Sequence, residues 1–118
     1  MNSLEIVNMV LEALASKKAQ DIRVLDLQGL TVITDYFVIA TASSPANSRA
    51  IVDAIDEAAR DHGIKGLRPE GVGDATWVLI DLGGVVVHIF DAEHRDFYQL
   101  ERLWADAPSV PVPAEYQS

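Results

Sequence analysis

The stretch Thr76-Trp-Val-Leu-Ile-Asp-Leu-Gly-Gly-Val-Val-Val-His-Ile-Phe-Asp91 decides the fold. It is an apolar run rich in β-branched residues, then Gly83-Gly84, then a second such run. Two strand-like runs separated by two glycines predict a β-hairpin, because glycine reaches the positive φ of a tight turn without steric cost. With Gly83-Gly84 as the loop, Leu82 faces Val85, Ile80 faces Val87 and Val78 faces Ile89. Side chains alternate along a strand, so these aliphatic residues share one face, and it reads as core. The other face carries Trp77, Leu79 and Asp81 opposite Phe90, His88 and Val86. Two aromatics, a carboxylate and an imidazole on one sheet face suggest a surface that meets a partner. Trp77 is the residue to bet on there, since tryptophan is enriched at the energetic centres of interfaces.

Working outward from the hairpin, a segment from Arg95 to Trp104 has Phe97, Leu100, Leu103 and Trp104 at helical spacing, and reads as a helix with those residues turned to the core. Upstream, Tyr36–Thr41 has the composition of a buried strand, and Ile22–Leu27 reads as another, closed by a turn at Gln28-Gly29. Thr31–Ile33 fits neither class. Ser44 and Pro45 open a helix as N-cap and first residue; Ile51, Ile55, Ala58 and Ala59 form its apolar face, and Gly63 ends it. At the N-terminus Ser3 reads as the cap of a helix whose buried face is Leu4, Val7, Leu11 and Leu14. The order is helix, two strands, helix, hairpin, helix. It implies an α/β fold in which helices pack on a mixed β-sheet.

One domain is expected from 118 residues. Residues 1–107 form it, and 108–118, with Pro108, Pro111 and Pro113, form a flexible or extended tail that folding does not need. There is no apolar run long enough for a membrane span and no signal-peptide pattern at the start. The absence of cysteine removes disulfides and thiolate metal sites, and fits the cytoplasm. A net charge of −9 disfavours bare nucleic acid as the main contact and favours encounter with a basic partner.

Chemistry is sparse. Asp26, Asp35 and Asp81 lie near strand ends, but no two acids stand one residue apart on a strand, the arrangement that phosphoryl transfer commonly uses. Asp53 and Asp56 belong to a solvated helix face, and no metal or cofactor is expected. Ser43, Ser44 and Arg49 could hold an anion at a helix start, but plain capping by serine is the simpler reading. His88 with Asp81 could form two members of a triad, yet no Gly-x-Ser-x-Gly elbow presents a nucleophile. His88 therefore reads as a half-buried histidine with one hydrogen-bond partner. His62 and His94 read as surface residues, and Trp104 as core.

Asp26-Leu-Gln-Gly29, Thr34-Asp-Tyr-Phe-Val-Ile39, Glu70-Gly71, Trp77–Gly83, Val86-Val-His-Ile-Phe90 and Arg95-x-Phe-Tyr-x-Leu-Glu-x-Leu-Trp104 together resemble the Iojap family, whose bacterial members are ribosomal silencing factors. The likeness runs from about Leu4 to Ala107. It implies a fold similar to the nucleotidyltransferases but without their catalytic acids. It also implies a non-enzymatic translational repressor that binds the large ribosomal subunit through its protein number fourteen and obstructs joining of the small subunit, lowering translation when nutrients run short. The alternatives are a divergent nucleotidyltransferase-like enzyme, or an adaptor in large-subunit assembly that self-associates through the hairpin face. Gly84 stands where the family often has an acidic residue or Asn, and Ala42 where it usually has glycine.

Overall fold

The computed structural model describes residues 1–117; Ser118, the last residue of the expected tail, lies outside them. Ten elements follow in order: α1 (Ser3–Ser16), β1 (Gln20–Asp26), β2 (Tyr36–Thr41), α2 (Pro45–Asp61), β3 (Trp77–Asp81), β4 (Val85–Phe90), α3 (Ala92–Tyr98), α4 (Leu100–Leu103), β5 (Ser109–Val110) and a 3-10 turn at Ala114–Tyr116. The strands form one mixed sheet in the order β3-β4-β2-β1-β5. β2 and β4 run parallel at its centre, from Tyr36 beside Val85 to Thr41 beside Phe90. The other pairings are antiparallel.

The hairpin has the register read from the sequence. Val78 lies opposite Ile89, Ile80 opposite Val87, and the Leu82 N–H donates to the Val85 carbonyl at 2.8 Å. Gly83 takes φ 86° and Gly84 does not take positive φ, which is the pattern of a II′ rather than a I′ turn. The aliphatic face of the hairpin packs with the inward faces of β1 and β2 under α1 and α2. Val78, Ile80, Val85, Val87 and Ile89 join Val7, Val10, Leu11, Leu14, Ile51 and Ile55 in this main core.

α2 begins as expected, with the Ser44 side chain accepting from the Asn47 N–H. α1 begins one residue earlier than expected. Asn2, not Ser3, is its N-cap, in a capping box with Glu5. Ser3 Oγ instead donates to Asp35 Oδ2 at 2.6 Å. Leu4 is consequently exposed, and the buried stripe runs through Ile6, Val7, Val10, Leu11 and Leu14.

Two further expectations are corrected. The continuous helix expected over Arg95–Trp104 starts earlier, at Ala92 under an Asp91 cap, and breaks at Gln99. Gln99 takes the left-handed φ of 47°, so the chain turns between α3 and α4. Of the four residues assigned to the core, Leu100 is buried and Trp104 half-buried, while Phe97 and Leu103 face solvent. Arg95 holds this corner. Its Nη1 donates to the Asp21 carbonyl and to Thr41 Oγ1, and its Nε donates to Glu101 across the break.

The second correction concerns 108–117, which is extended but docked. Val110 and Ser109 pair with Val24 and Leu25 on the β1 edge, and Val110, Val112 and Tyr116 pack against the main core. The prolines sit where no ladder donor is needed, and Pro113 directly precedes the 3-10 turn at Ala114–Tyr116.

Candidate partner-binding face

The sheet face turned away from α1 and α2 is built by the alternation that places Leu25 on β1, Phe37 and Ile39 on β2, His88 and Phe90 on β4 and Trp77 on β3 on one side. α3 and α4 cover part of it. The second core there consists of Leu25, Leu27, Ile39, Phe90, Leu100 and Ala107, with Phe37, Trp77 and Trp104 packed against it.

All six residues singled out on the hairpin share this face, but they divide by strand. Trp77 and Leu79 on β3 are half-buried, and Asp81 is exposed. Val86, His88 and Phe90 on β4 are buried. The reason is position in the sheet: β3 is an edge strand, whereas β4 lies between β3 and β2. Phe90, with no exposed surface, is the floor on which the Trp77 ring stacks at 5.0 Å. Tyr98 of α3 approaches the same indole at 4.8 Å, and Phe97 meets Tyr98 edge-on at 5.1 Å. The accessible surface is therefore Trp77, Leu79 and Asp81, extended by Tyr98 and Phe97. Val86, His88 and Phe90 support it from beneath.

His88 fixes the orientation of Trp77. The indole Nε1–H donates to His88 Nδ1 at 3.1 Å. An Nδ1 that accepts leaves the proton of the neutral ring on Nε2, which is buried and has no partner among the described residues. Phe37 packs edge-on against the imidazole at 4.5 Å. Burial in this aromatic setting disfavours the charged ring and lowers its pKa from 6.5 to about 4. The imidazole is thus neutral near pH 7, as its role as acceptor requires.

The carboxylates considered for catalysis are occupied locally. Asp26 accepts from the Gln28 N–H, Asp81 from the Gly83 N–H and Asp35 from Ser3 Oγ. Among the described residues, no group of three or more His, Asp or Glu side chains is arranged to hold a metal ion. Ser44 acts as a cap, and Arg49 is exposed. His62 binds the Ala58 carbonyl through Nδ1, and His94 contacts Asp91 at 2.8 Å. Sequence reasoning missed Tyr98 and Phe37 as parts of this face. The adjacent aromatics Phe97-Tyr98 were the available signal for the first; nothing local marked the second.

The whole chain, residues 1–118, matches the family described as ribosomal silencing factor during starvation. It is 42% identical over 108 residues to the ribosomal silencing factor RsfS of Bacillus subtilis, covering 92% of each chain. It is 39% identical over 109 residues to the chloroplastic protein Iojap of Zea mays, covering 90% of this chain and 46% of that one. Among solved structures, a protein from Chromobacterium violaceum superposes with a TM-score of 0.85 at 34% identity, over 97% of this chain and 96% of its own. A protein from Bacillus halodurans gives 0.81 at 36% identity, over 92% and 99%. With the family pattern matched from end to end and the fold shared with these structures, the chain belongs to the RsfS/Iojap family of ribosomal silencing factors.

Proposed function

We propose that this protein is a cytoplasmic, regulatory and non-catalytic factor that binds the large ribosomal subunit through its protein number fourteen. Bound there, it stands in the way of the small subunit and lowers translation when nutrients are short. The observation that carries this reading is the end-to-end match to factors named for ribosome silencing. The geometry adds a mechanism. A half-buried indole on a rigid aromatic floor loses little side-chain freedom on binding and offers a large apolar area. Asp81, exposed at the other end of β3 on the same face, can pair with a Lys or Arg of a basic ribosomal protein. The net charge of −9 favours such an encounter and opposes direct docking on ribosomal RNA.

Co-sedimentation with isolated subunits tests the reading. The protein should pellet with large subunits and not with small ones. Trp77→Ala should weaken that binding by about 2 kcal/mol or more, roughly thirtyfold, while the domain stays folded. Equal recovery with both subunits, or with neither, refutes it.

A further inference from the structure

The segment that joins β1 to β2 presents a second apolar surface, at the end of the sheet that holds the hairpin turn. Val32 is 103% exposed, Ile33 83% and Leu30 47%. Scattered exposed aliphatics are ordinary, but three within four residues on one loop are not. The loop is also tied down along its length. The Leu27 N–H donates to the Asp35 carbonyl at 2.8 Å, and the Leu30 and Thr31 N–H groups donate to the Leu27 carbonyl. The Ile33 N–H donates to Thr31 Oγ1. Thr34 Oγ1 donates to the Gly83 carbonyl at 3.1 Å, and the Asp35 N–H to the Gly84 carbonyl at 3.0 Å. The backbone is thus ordered while its largest side chains stay in water. Folding gains nothing from that arrangement, whereas a partner meets apolar groups whose ordering cost is already met.

Charge identifies the partner. The loop and the turn beside it carry Asp26, Asp35 and Asp81, and neither 24–48 nor 69–94 contains a Lys or Arg. An apolar tip in an anionic collar fits a protein surface with an apolar cleft rimmed by basic side chains, and it repels a phosphate backbone. We propose that Leu30, Val32 and Ile33 form a second docking element that inserts into such a cleft on a basic protein of the large ribosomal subunit, alongside the Trp77 face. Hydrogen bonds from Thr34 and Asp35 to Gly83 and Gly84 fix the loop to the hairpin that carries Trp77, so one rigid body presents both surfaces. This inference rests on the ribosome-binding reading above.

The test uses the full chain and isolated large subunits. The double variant Val32→Ser, Ile33→Ser should keep the wild-type thermal midpoint, because both side chains are exposed, and should bind large subunits about tenfold or more weakly. A photo-crosslinking amino acid in place of Val32 should label a basic ribosomal protein. If the wild type itself does not bind, the functional reading fails and this inference falls with it. If the wild type binds and the double variant binds equally well, only this inference is overturned. A crosslink to ribosomal RNA alone, or none in a complex that forms, overturns the basic-protein occupant.

Discussion

Lowering the pH from 7 to 4 should destabilise the domain through His88 in particular. In the unfolded chain the ring titrates near 6.5, and in the folded protein burial lowers that to about 4. Above 6.5 both states are neutral there and the group contributes no pH dependence. Between 6.5 and 4 the unfolded chain takes up a proton that the folded protein refuses, so stability falls as pH falls. At about 1.4 kcal/mol per pH unit, the loss approaches about 3 kcal/mol near pH 4 and then levels off. That is a large share of the roughly 5–15 kcal/mol typical of a small domain. Protonation also turns Nδ1 into a donor facing the Trp77 N–H, so the 3.1 Å bond cannot survive it. Urea unfolding at intervals between pH 7.5 and 4, followed by tryptophan fluorescence, measures the effect. The comparison is His88→Asn, which keeps an acceptor near Nδ1 and does not titrate. Other acidic effects are common to both proteins and cancel in the difference. Asp91 adds little in this window: burial raises its pKa, but the hydrogen bonds and charge of His94 outweigh burial and hold it below 3.8. Its contribution is lost only as pH falls further, through that lowered value. If wild type and His88→Asn lose stability in parallel between pH 7 and 4, the reasoning is wrong.

Ile80→Ala, in the main core, should cost about 2–5 kcal/mol of stability and leave the proposed large-subunit binding unchanged below the melting temperature, read by denaturant titration and co-sedimentation. Gly71→Ala should destabilise by about 2 kcal/mol or more in the same titration, because a Cβ there would collide with the Trp77 carbonyl oxygen on a backbone with φ 83°. Truncation after Ala107 should lower the thermal midpoint by about 10 °C, since it strips β5 from the β1 edge together with the packing of Val110, Val112 and Tyr116.

What was legible in the sequence was whatever depended on periodicity and local backbone chemistry. Two glycines between alternating runs set the hairpin register, and with it the division into an aliphatic and a mixed face. Ser44-Pro45 set the start of α2, and Tyr36–Thr41 was delimited to the residue. What was not legible depended on neighbours far along the chain. The tail reads as too poor in large apolar residues to fold; the open edge of β1 supplies the ladder on which it docks. Gln99 carries no mark of a left-handed break. The break is held by Arg95, which reaches Asp21 and Thr41, residues from 54 to 74 positions away.

That break decides the candidate site as well. The spacing predicts one continuous helix with Phe97, Leu100, Leu103 and Trp104 toward the core. With the chain turning at Gln99 instead, Leu100 joins Phe90 and Ile39 in the second core, Tyr98 at the end of α3 lies against Trp77, and Phe97 and Leu103 face solvent. The mixed face is thereby half closed: His88 and Phe90 become its floor, and Trp77, Leu79 and Asp81 its accessible edge. A tryptophan held by one hydrogen bond from below and by aromatic rings on its flanks is presented in a fixed pose, so little of its side-chain freedom is left to lose when a partner covers it.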